Sequence, residues 1–99
     1  MRCIISQKAN EDLDGIWRYT YLQWSERQAE EYYNLLTEKI EYIAKNPAVG
    51  RRMDDITDGY RYFLPVGSHI IFYRILEEGI VLIIRILHKR MDIPNRLKD

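Results

Sequence analysis

The spacing of apolar residues changes once along this chain, and the change falls at Asn46-Pro47. Upstream, apolar side chains recur every three or four residues; downstream they gather into runs rich in Ile, Val, Tyr and Phe. The first pattern belongs to helices packed on one side and the second to strands, so a helical part precedes a sheet part. Ala9, Leu13, Ile16, Trp17, Thr20 and Trp24 share one face of a first helix, with Asp12, Arg18 and Gln23 on the other. Ser6 can accept a hydrogen bond at its start, and Glu11, Asp12 and Asp14 place negative charge near the positive end of its dipole. Ser25-Glu26-Arg27-Gln28 reads as a capping box that opens a second helix, whose apolar set is Ala29, Tyr32, Tyr33, Leu36, Ile40 and Ile43. Pro47 stops that helix at Asn46 because the residue before a proline is disfavoured in the helical region.

Residues 47–59 show no period and read as a loop with room for a turn of helix. Strands are predicted over Tyr60–Leu64, His69–Leu76 and Gly79–His88, with a brief first strand over residues 2–6 and a C-terminal tail over 90–99. The order defines an α+β fold, β-α-α-β-β-β: an N-terminal strand, a two-helix hairpin on one face, and a mainly antiparallel sheet with the first strand beside the second. The last two strands are apolar on both faces, so both need a cover, from within the chain or from a partner.

At 99 residues, with 46% hydrophobic and 30% charged side chains, the chain makes one domain (1–99) with a modest core. Cys3 is its single cysteine, which excludes an internal disulfide or a cysteine-built zinc site and suits a reducing, cytoplasmic setting. The longest apolar run, Ile80 to Ile84, is too short to span a bilayer, and the start lacks the apolar stretch of a secretory signal. Fifteen basic residues balance fifteen acidic ones, so no overall field gathers nucleic acid or anionic lipid. Any basic site is local: residues 51–99 carry nine Lys/Arg against seven Asp/Glu, while residues 1–50 carry six against eight.

Most individual residues have ordinary roles. Trp17, Trp24, Tyr33 and Tyr73 fall on predicted packing faces, and Glu11-Asp12 and Glu30-Glu31 on solvated ones. His69 and His88 lack ligand spacing for a metal and read as strand-end polar residues. Strand alternation puts Arg85 with Val81, Ile83 and Leu87, opposite Leu82, Ile84 and Ile86. If the helices cover the other face, Arg61, Arg74 and Arg85 converge on the uncovered one as a basic groove for acidic groups of a partner. The alternative is internal pairing with Glu77, Glu78 or Asp92. No nucleotide-binding, hydrolase or metalloprotease motif is present, though His88, Arg61, Arg85 and Lys89 are of the types that metal-free RNA cleavage uses.

With these segments in place, the chain resembles the ParE toxins of bacterial type II toxin–antitoxin modules, within the wider RelE/ParE superfamily. The resemblance runs through Ala9, Asp12-Leu13 and Ile16-Trp17, then Trp24, Gln28-Ala29 and Tyr32, then Asn46-Pro47 and Gly50. It continues in Gly59-Tyr60-Arg61, Gly67-Ser68-His69, Ile71-Phe72-Tyr73-Arg74 and Ile84-Arg85-Ile86-Leu87-His88, ending at Arg90-Met91-Asp92. It implies a non-enzymatic poison of DNA gyrase, without metal or cofactor, held inactive by a ParD-like antitoxin, and with no membrane or direct sequence-specific nucleic-acid partner. Arg61, Arg74 and Arg85 are expected to bind the antitoxin, and His88, Lys89, Arg90 and Met91 to contribute to toxicity. RelE-like relatives are instead ribosome-dependent mRNA endoribonucleases. This chain departs from them in its balanced charge and in having no Tyr after His88.

Overall fold

The computed structural model describes residues 3–54 and 59–98. In chain order they form β1 (Cys3–Ile5), α1 (Gln7–Gln23), α2 (Glu26–Lys45), a 3₁₀ turn (Pro47–Val49), β2 (Arg51–Arg52), β3 (Tyr60–Val66), β4 (His69–Ile75), a second 3₁₀ turn (Glu77–Gly79), β5 (Val81–His88) and α3 (Ile93–Leu97). Both long helices begin as their caps dictate: Ser6 Oγ accepts from the Ala9 N–H at 3.0 Å, and Ser25 Oγ from the Gln28 N–H at 3.1 Å. Asn46 closes α2 ahead of Pro47.

The sheet order is β1-β5-β4-β3-β2. Three of its interfaces are antiparallel and one, β1 with β5, is parallel. The first strand therefore lies beside the last, not beside β3 as the sequence reading expects. The outer edge of β3 is taken by β2, which falls within the segment expected to be a loop, because two residues are too few to show a period. The remainder of that loop, residues 55–58, lies outside the described residues.

Two apolar layers hold the sheet. On the hairpin side Ala9, Leu13, Leu36, Ile40 and Ile43 pack against Val66, Ile71, Tyr73, Val81, Ile83 and Ile86. On the opposite side Met53, Phe72, Leu87 and Leu97 form a smaller core, flanked by Tyr60, Tyr62, Ile70 and Ile93. The segment expected to be a tail thus supplies a short helix whose Leu97 completes this second core, with Ile93 packed at its flank.

A register shift decides which residues of β5 face which layer. Phe72 pairs with Arg85 and Tyr73 with Ile83, so Ile84 is one residue extra. Val81 and Ile83 face the hairpin below this bulge; above it Ile86 does, and Leu87 turns to the second core. Strict alternation, which grouped Leu87 with Val81 and Ile83 and set Ile86 opposite them, fails at this one inserted residue. The bulge also receives the chain's start: Ser6 donates its N–H to the Ile83 carbonyl at 3.0 Å and its hydroxyl to the Ile84 carbonyl at 2.8 Å.

Candidate interaction groove

The hairpin covers the sheet incompletely. Near the β3–β4 turn a groove of about 1090 Å³ opens between α1, the start of α2 and the end of β5. Ile16, Tyr19, Trp24, Leu35 and Met91 give it apolar walls, Glu11 and Glu31 line its acidic side, and His69 and His88 sit with Arg90 on the sheet side. Tyr19, Trp24 and Met91 are 64%, 70% and 42% exposed. Trp24, expected in the packing face, instead caps the C-terminal end of α1 and stays largely in solvent.

Antiparallel pairing sets His69 directly across from His88, with ring centroids 5.3 Å apart and planes at 84°. The Tyr32 hydroxyl, on α2, lies 2.7 Å from His69 Nδ1, donates to the Val66 carbonyl at 2.8 Å and accepts from the Ser68 N–H at 3.2 Å. The Arg90 N–H donates to His88 Nδ1 at 3.1 Å. Burial pushes His69 down from 6.5 to about 4; the neighbouring His88 adds to this, and Asp12 opposes it. Burial likewise raises the Tyr32 phenol. Gly67, at φ +61, makes the tight turn beside this cluster, and a Cβ there would meet the Tyr32 ring at 2.8 Å.

The three strand arginines do not converge. Arg61 pairs with Tyr73 and Arg74 with Tyr60, so they stand on opposite faces of the sheet. Arg61 Nη1 donates to the Gly50 carbonyl at 2.8 Å, while Arg74 is exposed. Arg85 wraps over the sheet edge beyond the end of β1, donating through Nε and Nη2 to Asp12 at 2.8 and 3.0 Å and through Nη1 to the Arg96 carbonyl at 3.1 Å. Internal pairing is realised, with an α1 residue rather than with Glu77, Glu78 or Asp92. A bidentate fork on a carboxylate satisfies the guanidinium within the fold. The expected basic groove is absent because the β3–β4 register sets Arg61 and Arg74 on opposite faces, while Asp12 holds the Arg85 guanidinium.

Of the expected toxicity residues, His88, Arg90 and Met91 line the groove together; Lys89 is exposed, and its N–H donates to the Ser68 carbonyl at 2.9 Å. Tyr32 and His69 were not singled out as functional from sequence, although pairing the two final strands in antiparallel register would have brought both histidines together. Among the described residues no group of three or more His, Cys, Asp or Glu could hold a metal ion, and no helix is long and apolar enough to cross a membrane. Burial raises the Cys3 thiol, which makes it a poor nucleophile.

Residues 3–93 match the family model for the ParE toxin of the type II toxin–antitoxin system parDE. The chain is 43% identical to Toxin ParE1 of Mycobacterium tuberculosis over 96 residues, covering 97% of each chain. It is 40% identical to Toxin ParE1 of Caulobacter vibrioides over 89% of this chain and 88% of that one, and 30% identical to Toxin ParE of Escherichia coli over 97% and 92%. Among solved structures, one described as the chromosomal ParDE TA system from P. aeruginosa superposes with a TM-score of 0.75 at 21% identity, covering 89% of this chain and 95% of that chain, a likeness of fold. The chain belongs to the ParE toxin family of type II toxin–antitoxin systems.

Proposed function

We propose that this toxin is a non-enzymatic inhibitor of DNA gyrase in the cytoplasm, neutralised by a ParD-like antitoxin seated in the groove. Family membership over nearly the whole chain carries the reading. Balanced charge supports a protein target over the polyanionic ribosome, and each histidine spends a ring nitrogen on the fold. The groove suits an amphipathic helix: Ile16, Tyr19, Trp24 and Leu35 offer apolar contact at helical spacing along the hairpin. Seated there, the antitoxin would cover His88, Arg90 and Met91, so neutralisation follows from occlusion of residues proposed to contact the target, with Lys89 beside them. Arg74, exposed on the second face, and the partly buried Arg61 remain the candidates for acidic antitoxin groups, whereas Arg85 serves the fold.

Induced expression in a bacterial host tests the choice of target. Growth arrest with a DNA-damage response and intact mRNA supports gyrase; mRNA fragmentation with unaltered chromosomal supercoiling selects the RelE-like endoribonuclease.

A further inference from the structure

The two sides of the molecule differ in charge. Helix α1 carries three Asp/Glu against two Lys/Arg and α2 five against three, while the strands hold five arginines and no carboxylate. On the side of the hairpin turned away from the groove, a smaller cleft of about 380 Å³ opens between the two helices. Asp14, Trp17 and Arg18 of α1 and Glu30 and Tyr33 of α2 line it, and none of them lines the groove. Helical spacing makes this division, since Ile16, Tyr19 and Thr20 lie on one side of α1 and Asp14, Trp17 and Arg18 on the other. The aromatic wall of the cleft is held in place. The Trp17 indole N–H donates to Glu30 Oε1 at 3.2 Å, tying α1 to α2, and the Trp17 ring stacks on Tyr21 with centroids 5.3 Å apart and planes 7° apart. Trp17 and Tyr33 are half-buried, whereas Asp14 and Glu30 are exposed. Arg18 stands four residues after Asp14, the spacing of a helical ion pair, yet among the described residues it bridges to neither carboxylate.

We propose that this cleft is a second interaction surface, which takes an arginine side chain of the protein that the toxin inhibits. The assignment rests on the reading of the chain as a gyrase inhibitor. A cation is favoured twice here, by the carboxylates of Asp14 and Glu30 and by the electron-rich faces of the aromatic wall. Arginine suits both at once, because its planar guanidinium stacks on a ring while its N–H groups fork onto a carboxylate. An anion would meet two carboxylates against the single guanidinium of Arg18. An apolar group would bury those carboxylates without partners. An antitoxin seated in the groove leaves the cleft open, since the two share no lining residue.

Two measurements on the full chain test this. In the first, methylguanidinium chloride is titrated into ¹⁵N-labelled toxin and the indole N–H signals of its two tryptophans are followed, with Trp24→Phe assigning them. The Trp17 signal should move saturably, while sodium chloride at equal ionic strength leaves it in place. Asp14→Asn with Glu30→Gln should weaken that response roughly tenfold or more, and Arg18→Ala, which removes a competing like charge, should strengthen it. In the second, Asp14→Lys with Glu30→Lys should raise the toxin concentration for half-inhibition of gyrase supercoiling roughly tenfold or more, with antitoxin affinity unchanged. Thermal melting of each variant confirms that it folds. Absence of a saturable Trp17 response overturns the cation site, whatever gyrase does. A saturable response with unchanged half-inhibition in the charge-reversed toxin overturns the assignment to the target, and a loss of antitoxin affinity in its place gives the cleft to the antitoxin. A wild-type toxin that leaves gyrase untouched while Trp17 still responds overturns the gyrase reading, and with it the identity of the partner, but not the cation site.

Discussion

Asp12 accepts three hydrogen bonds, two from the Arg85 guanidinium and one from the Ile86 N–H at 2.9 Å, and its side chain and that of Arg85 are only 14% and 13% exposed. Removing one partner leaves a buried charge uncompensated, so Arg85→Ala or Asp12→Ala should lower unfolding free energy by about 3–5 kcal/mol in urea titration. Arg74→Ala, on an exposed side chain, should change stability by no more than about 0.5 kcal/mol, so any loss of antitoxin affinity there would be a binding effect. Tyr73 is fully buried, and its hydroxyl donates to the Pro47 carbonyl and accepts from the Gly50 N–H, each at 2.7 Å. Tyr73→Phe strands both backbone groups and should cost about 1–3 kcal/mol by the same titration. His69 gives stability a pH dependence. Its proton is bound more weakly in the folded state than in the unfolded one, so its contribution is whole above pH 6.5 and is lost as pH falls from 6.5 toward about 4. His69→Gln should flatten that part of a stability-versus-pH curve; an unchanged slope would contradict the burial argument.

At the scale of elements, the helices were legible because their signals are local. Apolar spacing, the Ser6 and Ser25 caps and the stop at Pro47 each act within a turn or two, and all agree. The three long strands were legible from β-branched and aromatic runs. The bulge at Ile84 was not, since an inserted residue leaves no mark when its neighbours are all apolar. Helix α3 escaped notice for a related reason: five residues with Pro at the start carry too short a pattern to separate from a tail. Yet Leu97 is 8% exposed and closes the second core over Met53, Phe72 and Leu87. Leu97→Ala should therefore cost about 2 kcal/mol in urea titration, at the low end for a core leucine because the chain end can adjust. A loss within experimental error would mean that α3 does not seal that face.

For the whole molecule, the fold class could be read from the order of elements, whereas the groove could not. Its walls come from α1, α2, the β3–β4 turn and the end of β5, brought together only by the sheet order. Trp24 shows the difficulty well, since its helical spacing matches the core set while the end of α1 leaves it in solvent. The same assembly joins His88, Arg90 and Met91 to the apolar walls, so the proposed toxic surface and the proposed antitoxin seat are one place. The most direct measurement is supercoiling of relaxed plasmid by purified gyrase in the presence of the purified toxin, with and without its antitoxin. Supercoiling should fail with the toxin alone and return at stoichiometric antitoxin, and His88→Ala should keep most of the inhibition. Normal supercoiling at excess toxin, from a preparation that cleaves mRNA in a translation extract and loses about a hundredfold of that rate on His88→Ala, would contradict the account.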